Sequence, residues 1–350
     1  MVVELHTPDE SSALQQRFRQ LPFLAKELLA GGMAGGLAKT CVAPLERVKI
    51  LFQTGRTQAT SITGTLAQIY SSEGLQGLFR GNGASVLRIV PYSAFHFGAY
   101  EHYRTHLIHM AGYDVPPSKH TQTAARHHHH HTDPESHHVS PPPTHHAVPP
   151  VLDLLAGSTA GATAVLLTYP LDFARTRLAY EVKDRTSSGQ GSSISSVLVQ
   201  TVKLEGPQGI YRGIAPTLAG ILPYAGLKFY VYQSLKQYYR RTDEHARDRL
   251  PIAVMLSFGA SAGLVAQTIT YPLDVVRRQM QVQGQKGRSG LIPQHINSTV
   301  HGLKLLWLQG GRRALFRGLS LNYIKVVPST AIGFAIYDYL KQYLDLPQNL

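Results

Sequence analysis

The stretch Pro170-Leu171-Asp172-Phe173-Ala174-Arg175 decides the fold, because it occurs three times. Its counterparts are Pro44-Leu45-Glu46-Arg47-Val48-Lys49 and Pro272-Leu273-Asp274-Val275-Val276-Arg277. Each copy is Pro-x-acid-x-x-base, and each follows an apolar run rich in Gly, Ala, Ser and Thr. A second block follows each copy and ends in aromatic-Arg-Gly: Phe79-Arg80-Gly81, Tyr211-Arg212-Gly213 and Phe316-Arg317-Gly318. Glu73 and Glu205 precede the first two of these, and Gly310 takes the acid's place in the third. Self-similarity in this order marks three copies of one supersecondary unit. The prolines lie 126 and 102 residues apart, so the first unit carries an insertion.

The insertion is visible in composition. Twelve of the eighteen histidines fall within residues 105–150, among the prolines at 141–143, 149 and 150. Such a segment is read as a low-complexity linker. Clustered imidazoles bind zinc or copper weakly, but no Cys or spaced carboxylate set defines a site there, and no metal is expected. The sole cysteine, Cys41, excludes an intramolecular disulfide framework.

The chain has 350 residues, a net charge of +13 and only 16% charged residues. That charge fraction lies below the roughly 25% of soluble domains. A basic balance points to phosphate-rich partners, anionic substrates or an anionic membrane surface. Residues 251–273 contain no charge, and 154–171 contain none either. About 20 apolar residues span a bilayer. A soluble nucleic-acid binder is disfavoured by the uncharged 23-residue run. No nucleophile–base set or Walker loop supports an enzyme, and no cofactor is expected. The first 20 residues lack the apolar core of a secretory signal, and their three acids argue against a cleaved presequence.

The expected fold is therefore an all-α membrane protein with six long helices in three hairpins. They cover about 24–53, 82–104, 151–180, 214–238, 251–281 and 319–342. Short amphipathic helices at 62–70, 194–204 and 301–308 lie between the members of each pair. The units are a tail 1–23, repeat one 24–104, a linker 105–149, repeat two 150–245 and repeat three 246–345.

A proline inside a helix removes a hydrogen bond and bends it. Three kinks at equivalent heights draw three helices together. Charge at that depth is costly unless it faces the bundle interior and pairs. The expected ring is Glu46 with Arg175, Asp172 with Arg277, and Asp274 with Lys49. Intrahelical i, i+3 pairing is the alternative. A second set closes the other end: Tyr100-Glu101-x-x-Arg104, Tyr232-Gln233-x-x-Lys236 and Tyr337-Asp338-x-x-Lys341. It offers Glu101–Lys236 and Asp338–Arg104, while Gln233 can only hydrogen-bond Lys341. Two rings that cannot both be open give alternating access to a central site.

These motifs resemble those of the mitochondrial carrier family over about 24–104 and 150–345. The resemblance implies three parallel repeats, six transmembrane helices and a solute site near the midplane. It implies that the Pro-x-acid-x-x-base ring is the matrix gate and the second ring the cytoplasmic gate. Gln53 and Gln281 then resemble glutamine braces beneath the matrix ring, with Ala179 in the matching place of repeat two. Glycines opening the even and matrix helices resemble the family's cardiolipin sites. Termini and linker are expected on the cytosolic side, and the protein is expected to be a monomer.

Seven residues after each aromatic-Arg-Gly glycine stand Arg88, Gly220 and Lys325, matching the family's substrate-contact positions. Two cations in an apolar bundle need an anion, and Arg and Lys are the usual phosphate ligands. Both stand outside the two rings, and for each an interhelical ion pair is the alternative reading. Gly220 admits a flat ring, or close helix packing, while Ile221 offers an apolar face and Tyr224 stacking. Lys39 is a further phosphate ligand. The segments Pro223-Tyr224-Ala225-Gly226-Leu227-Lys228-Phe229-Tyr230 and Thr270-Tyr271-Pro272-Leu273-Asp274-Val275-Val276-Arg277-Arg278-Gln279-Met280 resemble coenzyme A carriers, notably those of plants. The resemblance implies exchange of coenzyme A for an adenine nucleotide across the mitochondrial inner membrane. Other nucleotides, a peroxisomal membrane, and a non-transporting adaptor on the same fold are the rival readings.

Overall fold

The computed structural model describes residues 23–57, 61–113, 149–182, 192–242, 251–285 and 295–343. The tail and most of the linker lie outside the described residues. Six helices of 25 to 32 residues carry the architecture: α1 Phe23–Thr54, α3 Asn82–Met110, α4 Pro150–Tyr180, α6 Ile214–Thr242, α7 Ile252–Gln281 and α9 Leu319–Tyr343. At 1.5 Å per residue these measure about 38–48 Å, enough to cross a bilayer with tilt. Four of the long segments are also apolar enough to span by composition. α1 and α3 match them in length. Three shorter helices link the hairpins: α2 Ile62–Leu78, α5 Ile194–Glu205 and α8 Thr299–Leu315.

The helices form a ring in chain order, and α9 closes it against α1. Packing is densest across the repeat boundaries, α3 on α4, α6 on α7 and α9 on α1. The odd helices show why. Ala30, Ala34 and Ala38 of α1, Ala156, Ala160 and Ala164 of α4, and Ala262 and Ala266 of α7 are all buried. They stand at the same places before each motif proline, one turn apart. A four-residue period of methyl groups lets a neighbouring backbone approach closely. In repeat three the outermost rung is Phe258, which packs edge-on to Tyr239.

Each connecting helix is pinned beneath its odd helix by a small apolar core. Val48, Leu51 and Phe52 hold Ile69 of α2; Ala174 and Leu178 hold Val197 of α5; Val275 and Val276 hold Leu305 and Leu306 of α8. Outward-facing residues such as Phe97, Leu167, Ile269 and Val327 stay exposed, as lipid-facing positions do. Three expected boundaries move. α2 and α8 continue past the expected ends, across kinks at Gly74 and Gly311 whose φ is positive. α3 runs six residues beyond 104, because residues 105–110 contain no helix breaker and the turn comes only at Gly112.

Candidate functional site: a ring of cross-repeat ion pairs and the cavities against it

Pro44, Pro170 and Pro272 lie inside α1, α4 and α7. Just beyond them the acids and bases meet across repeats. Arg175 pairs with Glu46, Arg277 Nη2 lies 2.5 Å from Asp172, and Lys49 Nζ lies 2.9 Å from Asp274. The three pairs link α4 to α1, α7 to α4 and α1 to α7, so the ring is closed. Every motif acid thus has a base from a different helix.

Two of the pairs carry extra supports. Gln281 Nε2 donates to Asp172 (2.9 Å) and to the Tyr169 hydroxyl (3.0 Å). Gln53 Nε2 donates to the Tyr271 hydroxyl (3.1 Å) and to Asp274 (3.3 Å). Each tyrosine then donates to the backbone opening the next even helix, Tyr169 to Arg212 O and Tyr271 to Arg317 O. The third pair lacks both parts. Ala43 stands where the tyrosine would be and Ala179 where the glutamine would be, and both border a small gap of about 10 Å³ beside Glu46 and Arg175.

Glycine is required where the even helices begin. Gly81, Gly213 and Gly318 have φ near +83°. A Cβ on Gly81 would lie 2.7 Å from Arg175 O, and one on Gly213 2.9 Å from Arg277 O. The motif base of one repeat and the even helix of the preceding repeat are therefore in direct backbone contact.

Arg88 and Lys325 are not free: both make interhelical ion pairs, the alternative to the unpaired cations expected from sequence. Arg88 Nη1 lies 3.5 Å from Asp172 Oδ1, and its Nε donates to Thr168 (3.1 Å). Lys325 Nζ lies 3.2 Å from Glu46 Oε1. Buried charges need counter-charges, and the ring acids are the anions within reach. Lys39 makes no hydrogen bond or ion pair among the described residues. Lys325 lines a cavity of about 200 Å³ with Lys49, Arg175, Arg278, Glu46 and Asp274. Gly220, Ile221 and Tyr224 line a second, of about 220 Å³, with Thr217, Leu273 and Arg277. Gln267 and Asp274 border both. Around Gly220 the nearest side chain to an added Cβ is Leu273 at 3.7 Å, so the position is not a tight helix crossing. Ile221 packs with Val165, Tyr169 and Phe173 of α4 as well as facing that cavity.

At the opposite end the second set stays apart. Neither Glu101–Lys236 nor Asp338–Arg104 forms among the described residues. Arg104 Nε instead lies 2.7 Å from Asp153, in the first turn of α4. Lys341 sits 5.1 Å over the Tyr337 ring. No hydrogen bond joins Gln233 to Lys341 among the described residues.

Several structural residues were not legible as such in the sequence. Arg47 is buried and binds Glu73 (2.5 Å), while Arg80 joins Glu73 to Glu181. Arg177, Glu205 and Arg212 repeat this arrangement. Arg47 and Arg177 occupy different places after their prolines, so alignment of the repeats hides the likeness. Arg278 also joins the ring, lying 3.4 Å from Asp172 and donating to Gln281 (2.9 Å) and Thr176.

A family model described as "Mitochondrial carrier protein" matches residues 20–111, 146–243 and 248–347. The chain is similar to "Mitochondrial carrier protein CoAc1" of Zea mays, 46% identical over 340 residues, covering 93% of this chain and 89% of the relative. It is 37% identical to "Mitochondrial adenine nucleotide transporter ADNT1" of Arabidopsis thaliana, covering 92% and 87%. It is 36% identical to "Mitochondrial coenzyme A transporter SLC25A42" of Danio rerio, covering 95% and 91%.

Proposed function

The chain belongs to the mitochondrial carrier family, and from that premise we propose that it carries coenzyme A, or a close adenine-containing phosphate, across the mitochondrial inner membrane in exchange for an adenine nucleotide. It is a multi-pass membrane transporter, not an enzyme. The names of its relatives support the cargo class. The observation that carries the reading is the latching of Arg88 and Lys325, from α3 and α9, onto two of the three ring acids.

The mechanism follows from that latch. A phosphate group entering from the open end offers Arg88 and Lys325 a stronger, bidentate-capable partner. Drawing them away removes one cation from Asp172 and one from Glu46. The ring acids then keep only their ring bases and supports. Lys39 supplies a third phosphate contact, and the adenine ring lies in the cavity of Gly220, Ile221 and Tyr224. Glu46, Lys49, Asp172, Arg175, Asp274 and Arg277 act as the matrix gate, braced by Gln53 and Gln281. Glu101, Arg104, Gln233, Lys236, Asp338 and Lys341 close the cytoplasmic side when the matrix gate opens. Binding energy shifts the equilibrium only by the substrate's preference for the intermediate over the closed state. Cardiolipin at the positive-φ glycines and a monomeric carrier belong to the same reading.

Reconstitution into liposomes loaded with adenine nucleotide tests it, with labelled coenzyme A, ADP, ATP and NAD offered outside. Exchange of coenzyme A that falls at least tenfold in Arg88→Ala supports the reading. Uptake of ADP or ATP without coenzyme A would move the assignment to another nucleotide. Uptake of none would favour the adaptor.

A further inference from the structure

The extension of α3 past residue 104 has a chemical consequence. It places His102, His106 and His109 on a regular helix, at spacings of four and three, with Thr105 and Glu101 beside them. All five side chains are exposed and border one open depression on the surface of this helix. The opposite side of this segment is already used, since Tyr103 bonds Thr163 and Arg104 bonds Asp153. The histidine face is therefore left uncovered by other helices among the described residues, at the end of the bundle where α4 begins.

Residues four apart on a helix are neighbours, with Cβ atoms about 5–6 Å apart. Two histidines at that spacing converge on one zinc ion, as in helices bearing His-Glu-x-x-His. Imidazole suits zinc, copper and nickel rather than magnesium or calcium. Among the described residues no three His, Cys, Asp or Glu side chains are gathered closely enough to hold a metal outright. A two-imidazole site completed by water is what this face can offer.

We propose that His102 and His106 bind a zinc-class divalent cation and that its occupancy slows the carrier. The coupling runs through Glu101, the neighbour of His102 on the same depression. A divalent charge there holds the carboxylate by attraction and opposes its pairing with Lys236. This second step rests on the reading of Glu101 as part of the cytoplasmic gate; the metal site itself does not.

The test is zinc titration of the detergent-solubilised full chain, paired with exchange in liposomes containing zinc. His102→Gln/His106→Gln is expected to bind one zinc equivalent fewer and to escape a several-fold inhibition seen in the parent. A variant with the five histidines at 127–131 changed to Gln is expected to keep that inhibition. His106→Gln alone should behave as the double variant does. Unchanged stoichiometry in the double variant overturns the site. A lost equivalent with inhibition unchanged overturns the link to Glu101. If no member of the substrate panel is exchanged, the carrier reading fails, while a lost equivalent still upholds the metal site.

Discussion

At the inner end of the bundle three acids meet three bases from other repeats; at the outer end Glu101, Lys236 and Asp338 stay apart and Arg104 turns to Asp153. The residue types are nearly the same, so composition does not account for the difference. The surroundings do. Asp172 and Arg277 keep 3% and 15% of their side-chain surface exposed, whereas Asp153 and Arg104 keep 42% and 27%. Two of the inner pairs are also backed by Gln53, Gln281, Tyr169 and Tyr271, whereas the Arg104–Asp153 pair has only the Tyr100 hydroxyl, 3.5 Å from Asp153. A water-exposed pair is worth about 0–1 kcal/mol, while breaking a buried pair costs about 3–5 kcal/mol. The inner ring thus holds the fold, and the outer pair sits where a change of partner costs little.

The comparison breaks most sharply at Asp172. Asp172→Ala leaves Arg88, Arg277 and Arg278 facing one another, and should cost about 3–5 kcal/mol. Thermal unfolding in detergent should show a drop of many degrees, with exchange lost. Gln281→Ala removes one brace and should cost about 1 kcal/mol. Its melting point should fall modestly while exchange persists. The reverse change sharpens the contrast. Ala43→Tyr with Ala179→Gln overfills the gap of about 10 Å³ beside Glu46 and Arg175, and should cost about 1–3 kcal/mol and lower the melting point. A raised melting point would mean that α1 and α4 part to seat the two side chains. The smallest effect is expected at the outer end. Asp153→Asn frees Arg104 for Asp338, shifting stability by less than about 1 kcal/mol. Crosslinking between cysteines placed near positions 104 and 338 should rise if the partners then meet.

Much of this was readable because the motifs recur. One copy of Pro-x-acid-x-x-base is ambiguous between an intrahelical pair and a surface pair. Three copies at one height imply a shared geometry, and the geometry fixes the cross-repeat partners. The six long helices followed from the same periodicity. The residues that escaped are those that break the repeat. Arg47 and Arg177 converge on equivalent glutamates from places one turn apart, and Arg278 has no counterpart in the other repeats. The partners of Arg88 and Lys325 were left unfixed for another reason. Sequence places them on even helices but does not say how far their long side chains reach, and both reach the ring. The histidines at 106 and 109 were absorbed into a compositional tract because helix ends are the least sharply marked features of a sequence.

The alanine ladders have a last consequence. Alanine has no side-chain torsion to lose, so the seams between α3 and α4, α6 and α7, and α9 and α1 carry almost no rotameric order along those rungs. A seam of larger, interlocked side chains would have to be unpacked and repacked each time the helices shifted. A seam of methyl groups presents nearly the same surface after a small rotation as before it. The same residues that bring the helices close therefore leave those rungs smooth, and the directional contacts lie elsewhere, in the charged ring and in bonds such as Tyr103 to Thr163.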